Sequence, residues 1–263
     1  MPASFPFVPD GPLHRFGRLG AMSALALFAL GCAALRPARV PMPAERLATG
    51  SAAGRCAVVL LPGRYDRPES FAKAGFAEAL AARGIDAEVV APDAHLGYYT
   101  RRTVLERLHE DVIAPLRAAG RERIWLVGVS MGGTGSLLYV QRYPGEIAGL
   151  VELAPYLGEP EVVREVASAG GLASWPAPEV LAEDDFQRSL WRSLQSIVRG
   201  GGPTLFLGFG QSDDFAPGHR LLAAALPPER VAALPGGHDW RTWRRLWQAY
   251  LDTGELTAPC GRP

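Results

Sequence analysis

The pentapeptide Gly128-Val129-Ser130-Met131-Gly132 sets a hydroxyl between two glycines, directly after the apolar run Ile124-Trp125-Leu126-Val127 and before a stretch of helical character. Such a serine can act as a nucleophile if the chain turns sharply from strand to helix at that point, because the turn lifts the side chain clear of the sheet. Gly128 and Gly132 leave room for strand and helix to approach. The helix that follows directs its first N–H groups and the positive end of its dipole at the serine, which favours a negatively charged oxygen formed there. The sequence therefore predicts a nucleophile at Ser130 and one donor for an oxyanion, the amide of Met131.

A serine hydroxyl is a weak nucleophile until a base takes its proton and an acid orients that base. Two later segments offer these groups. Thr204-Leu205-Phe206-Leu207-Gly208-Phe209 reads as a buried strand, and Gly210-Gln211-Ser212-Asp213-Asp214-Phe215-Ala216-Pro217 turns out of it with carboxylates just past its end. Arg230-Val231-Ala232-Ala233-Leu234 reads as a further short strand, closed by Pro235-Gly236-Gly237-His238-Asp239-Trp240, so His238 stands on a glycine-rich loop before a helix. The remaining histidines, His14, His95, His109 and His219, have no comparable strand-end setting and read as structural or solvated.

With these residues in order, residues 56 to about 253 resemble an α/β-hydrolase of the esterase and lipase type, a likeness that spans about three quarters of the chain. The order Ser130, Asp213, His238 matches that superfamily and differs from the chymotrypsin and subtilisin orders. The resemblance implies a catalytic triad of these residues and a second oxyanion donor in the loop after an early strand. That loop is Leu61-Pro62-Gly63-Arg64-Tyr65, which makes the Arg64 amide the matching donor, although Pro62 stands where the family commonly has histidine. A Gly-x-x-Asp pattern after the penultimate strand recurs in the family and selects Asp213 over Asp214. Phe215 is then expected to turn into the core and Asp214 to face solvent or cap the next helix; Glu152 and Asp239 are the fallback acids. The implied function is hydrolysis of small-molecule carboxylic esters through an acyl-enzyme intermediate. Thioesterase and acyltransferase activity share the same triad, and an exported lipoprotein could use the fold for binding without turnover.

The elements needed to position these groups follow the pattern of an α/β fold, a mostly parallel sheet flanked by helices. Strands are predicted over 56–62, 86–91, 123–129, 147–153, 204–209 and 230–234. Helices are predicted near 68–83, over 100–119 with Val104, Leu105, Leu108, Val112 and Ile113 at helical spacing, and from Ser130 to about Tyr143. Residues 157–202 form a connection far longer than the usual length of about 2–6 residues. It is either a short helical cap over Ser130 or a crossover helix with decorated loops. The stripe Trp240, Trp243, Leu246, Trp247, Tyr250 is expected to pack on the sheet.

Length and composition suit one catalytic domain over 56–263: the 263-residue chain is 48% hydrophobic and carries 27 basic and 27 acidic side chains. A net charge of zero with dispersed arginines gives no basic surface for nucleic acid. No phosphate-binding glycine loop or metal-ligand cluster is legible, so neither metal nor other cofactor is implied.

Residues 1–32 read as a signal peptide: Arg15 and Arg18 precede an apolar run that ends at Gly31-Cys32. The Gly-Cys end resembles a bacterial lipoprotein signal, with Cys32 lipidated and the protein held on the periplasmic side of a membrane. Ordinary cleavage would instead give a soluble periplasmic or secreted form. Seventeen uncharged residues separate Arg18 from Arg36, the lower limit for a spanning helix. Residues 33–55, rich in proline, glycine and alanine, read as a flexible tether. The two cysteines left, Cys56 and Cys260, either form a disulfide in an oxidising compartment or remain a buried and an exposed thiol.

Overall fold

The computed structural model describes residues 36–51, 54–182 and 184–261. The predicted signal peptide and the lipidation position Cys32 lie outside these residues. Among the described residues, no helix is long and apolar enough to cross a membrane.

Seven strands form one sheet: β1 (Ala44–Ala48), β2 (Cys56–Leu61), β3 (Ala87–Pro92), β4 (Arg123–Val129), β5 (Gly149–Leu153), β6 (Thr204–Gly210) and β7 (Val231–Leu234), in the order β1-β3-β2-β4-β5-β6-β7. Only β1 is antiparallel to its neighbour. Every residue of β2, β3 and β5 is buried, as expected of parallel strands covered on both faces, and their near-continuous aliphatic character follows from that burial. Ala57, Val59 and Leu61 face one apolar cluster while Cys56, Val58 and Leu60 face the other, so the sheet divides two cores.

The helices are α1 (Glu69–Lys73), α2 (Phe76–Ala81), α3 (Leu96–Thr100), α4 (Val104–Leu108), α5 (Ala114–Ala118), α6 (Met131–Arg142), α7 (Pro160–Ser168), α8 (Phe186–Val198), α9 (Ala216–Ala223), α10 (Trp240–Asp252) and α11 (Thr257–Cys260), with a π-helical turn, His109–Ile113, between α4 and α5. The helix predicted over 68–83 is broken into α1 and α2 at Gly75, which takes a left-handed conformation with φ 75°. On α10, Trp243, Leu246, Trp247 and Tyr250 are buried against the sheet, with Trp247 stacked on Phe76 at 5.3 Å. Within the long 157–202 connection, α8 packs on α6 as a crossover helix does, burying Leu190, Trp191 and Leu194.

The tether predicted over 33–55 does not hold for its described part. Residues 44–48 are an edge strand paired with β3, Met42 is buried, and the Tyr98 hydroxyl donates to the Arg39 carbonyl at 2.9 Å. A five-residue edge strand that is half solvated carries little apolar signal, and its flanking Pro43 and Gly50 punctuate it as they would a loop.

Cys56 and Cys260 are joined by a disulfide, with Cα atoms 5.9 Å apart. The tail beside it is also held by the Asp86 amide, which donates to the Cys260 carbonyl at 2.7 Å. Closing a loop of this length removes chain entropy from the unfolded state worth roughly 4–5 kcal/mol.

Candidate active site

Ser130 lies at the junction of β4 and α6 with φ 52° and ψ −116°, a conformation that costs a non-glycine residue on the order of 1–3 kcal/mol and persists only where the surroundings enforce it. The enforcement is local. The Ser130 amide donates to the Leu153 carbonyl at 3.1 Å, and the Ser130 carbonyl accepts from Tyr156 at 3.0 Å. A side chain at Gly132 would collide with the Leu61 and Pro62 carbonyls, so the elbow can press against the end of β2 only with glycine there.

The other two predicted residues meet it. His238 Nε2 lies 2.9 Å from Ser130 Oγ, and His238 Nδ1 lies 2.8 Å from Asp213 Oδ2. The Asp213 side chain is fully buried while His238 keeps 25% exposure; the carboxylate is thus shielded from water and the imidazole remains reachable from solvent. Asp213 Oδ1 accepts from the Phe215 amide at 2.8 Å. The loops carrying acid and base are stitched together, since the amides of Gln211 and Ser212 donate to the Leu234 and Gly236 carbonyls at 2.8 and 2.9 Å.

The imidazole meets two aromatic rings, Phe215 and Trp243, each perpendicular to it with centroids 5.0 Å away. Phe215, expected in the core, is instead partly exposed and lines the site. Asp214 is exposed, and α9 begins without any side-chain cap. Asp239 caps α10 by accepting from the Thr242 amide at 2.8 Å. Glu152 lies under the elbow, where it accepts from Ser136; burial pushes its carboxyl well above the ordinary range.

The Pro62–Tyr65 turn also approaches Ser130. A Cβ placed on Gly63 would come within 3.6 Å of Ser130 Cβ, which brings the start of this turn beside Ser130. Met131 opens α6, where backbone N–H groups have no acceptor within the helix.

Beside Phe215 opens a largely apolar cavity of about 390 Å³ walled by Tyr156, Leu157, Pro160, Val163 and Pro217, within the range of about 300–1,000 Å³ usual for small-molecule sites. Tyr156 meets the Phe215 ring edge-on at 5.5 Å. Its hydroxyl donates to Glu159 Oε1 at 2.6 Å. A further histidine, His219, is buried behind the site, with Nε2 donating to the Pro155 carbonyl at 2.8 Å. Burial lowers its basicity. Sequence reasoning missed Tyr156 and the cavity, which arise from side chains that meet across the 157–202 connection and α9. Among the described residues, no group of three or more His, Cys, Asp or Glu side chains converges as a metal site would require.

A family model described as the alpha/beta hydrolase fold matches residues 57–176. Solved structures share the fold at low identity. A carboxylesterase structure from the thaumarchaeon Nitrososphaera gargenis is 18% identical, with 82% of this chain and 94% of that chain covered at a TM-score of 0.54. A ferulic acid esterase is 16% identical over 77% of this chain and 85% of that one, TM-score 0.52. A putative non-heme bromoperoxidase from Mycobacterium tuberculosis is 16% identical over 83% and 96%, TM-score 0.54. No curated protein sequence matches the chain. Strand order, family model and these likenesses agree on one architecture: the chain has the α/β-hydrolase fold.

Proposed function

We propose that the protein is a serine hydrolase that cleaves carboxylic esters of small molecules through an acyl-enzyme intermediate. The observation that carries this reading is the unbroken hydrogen-bonded line from Asp213 through His238 to Ser130, with 2.8 and 2.9 Å steps. Ser130 Oγ attacks the ester carbonyl while His238 Nε2 takes its proton. The proton then passes to the departing alkoxide, leaving an ester on Ser130. Water, deprotonated by the same nitrogen, attacks that ester, and the serine leaves with the proton. Asp213 holds the Nδ1–H tautomer and stabilises the imidazolium formed in each half-reaction. The amides of Met131 and Arg64 receive the oxyanion.

Esters are favoured over other acyl compounds by the esterases among the structural neighbours and by the apolar cavity lined by Phe215, the ring that meets His238, which suits an uncharged acyl or alcohol group. Export and lipid attachment through Cys32 belong to the same proposal. They are supported by the basic-then-apolar N-terminus and by the Cys56–Cys260 disulfide, a bond that persists in oxidising compartments.

The test is reaction with an active-site-directed fluorophosphonate. Wild-type protein is expected to be labelled and Ser130→Ala to be inert, with kcat on p-nitrophenyl esters lower by a factor on the order of 10⁶ and the melting temperature retained. Labelling that persists in Ser130→Ala would transfer the role to another residue.

A further inference from the structure

We propose that Asp66 and Trp240 form a clamp that fixes the Gly63–Asp66 turn against the histidine loop, which makes both of them positioning residues for the oxyanion donor Arg64. The proposal rests on the serine-hydrolase reading above.

The geometry starts from the turn itself. The Asp66 amide donates to the Gly63 carbonyl at 3.1 Å, closing four residues with Arg64 and Tyr65 exposed at the tip. The Asp66 carboxylate folds back over this turn, beside Gly63. Its Oδ1 also accepts from the indole N–H of Trp240 at 2.8 Å, a contact between residues 174 positions apart. A Cβ on Gly63 would lie 2.5 Å from Asp66 Oδ2 and 3.6 Å from Ser130 Cβ. Carboxylate, turn and Ser130 therefore share one small space, and a side chain at position 63 would displace the Asp66 carboxylate.

Trp240 is a rigid anchor for such a clamp. It opens α10 two residues after His238, and its ring meets Phe71 edge-on at 5.1 Å and Trp243 at 5.2 Å. Trp243 is the ring that stands against His238. One indole thus joins the loop of the base to the turn of the proposed donor. Burial raises the Asp66 carboxyl above its ordinary range, against the opposing pull of the Trp240 and Gly63 donors; the carboxyl is held there by geometry at a cost, as expected of a residue with a task. An oxyanion donor contributes only if it points at the oxygen as charge develops, and loss of one such donor costs about 10²–10³ in kcat. A displaced donor loses part of that.

The test compares Asp66→Ala, Asp66→Asn, Trp240→Phe and the double variant Asp66→Ala/Trp240→Phe, with kcat and KM measured on p-nitrophenyl acetate and butyrate per active site titrated by fluorophosphonate. Asp66→Ala and Trp240→Phe are each expected to lower kcat about 10–100-fold with KM within about threefold. The double variant is expected to be no worse than the worse single one, because the two residues act as a unit. Asp66→Asn, which keeps an oxygen for the indole N–H, is expected to recover part of the loss. Unchanged kcat per titrated site in both single variants, or losses that multiply in the double variant, would overturn the clamp while leaving Ser130 as nucleophile. Wild-type protein that takes no label would overturn the serine-hydrolase reading and the clamp together.

Discussion

Asp213 and Glu152 stand near the C-terminal ends of adjacent strands, both shut off from water, and their surroundings differ in kind. Asp213 accepts from two N–H groups, the Phe215 amide and the His238 imidazole. Glu152 has the Ser136 hydroxyl on one oxygen and no partner on Oε2, and burial keeps its carboxyl neutral well above the pH at which an exposed one ionises. Burial is common to both acids; the donors are not. The acid with two N–H partners lies in line with His238 and Ser130, whereas the other fills space beneath α6. Two equally buried carboxylates are thus separated by what each can hydrogen-bond.

Removing the negative charge from Asp213 should have the largest effect. Asp213→Asn is expected to lower kcat by up to about 10⁴, since an amide can leave His238 in the wrong tautomer, as in the serine-protease case. Glu152→Gln is expected to leave kcat on the same ester within about threefold; a loss comparable to that of Asp213→Asn would erase the distinction between the two acids.

Next in size is the bridge that ties the first parallel strand to the C-terminal tail. Cys56→Ser is expected to lower unfolding free energy by about 2–5 kcal/mol in a denaturant titration, without changing the fluorophosphonate labelling of the folded protein. Intact mass after alkylation of unreduced exported protein should show no modification at either residue. Two alkylated thiols there would rule the bridge out.

A smaller effect sharpens the comparison through pH. The Glu152 carboxyl is raised in the folded protein, so its contribution to stability is fully present below the unfolded value of about 4.3 and is lost as pH rises toward the folded value. Glu152→Gln lacks this titration. Its stability relative to wild type should therefore improve as pH rises above about 4.3, by at most about 1.4 kcal/mol per pH unit, read from urea midpoints at several pH values. Parallel pH profiles would place Glu152 in contact with water or a cation. Asp214→Asn should do least: an exposed neighbour of the acid, it is expected to change kcat less than about tenfold.

The parts of the molecule legible in the sequence share a cause. β4, β6 and the loops that carry Ser130, Asp213 and His238 are marked by local signals: a buried aliphatic run, then glycine or proline at a turn. What escaped reading depends on partners distant in the chain. β1 is a strand because β3 offers an edge to it, and Ala44-Glu45-Arg46-Leu47-Ala48 alone would suit a helix equally well. The expected continuous helix over 100–119 starts late, after Arg102 adopts a positive φ of 57°, and contains a π-helical turn. Asp66 gains its meaning only from Trp240, and Phe215 lies at the site surface because Tyr156 and His238 supply its contacts. Local spacing could place the three triad loops; it could not show which side chains cross between them.

The most direct measurement of the central claim is rapid quenching of the reaction with p-nitrophenyl acetate, followed by peptide mass spectrometry. A burst of one p-nitrophenol per active site is expected, with the acetyl group on the peptide containing Ser130 and absent from Ser130→Ala. A linear time course with no acetylated peptide, or an acetyl group on another residue, would be the opposite result and would remove Ser130 from the reaction.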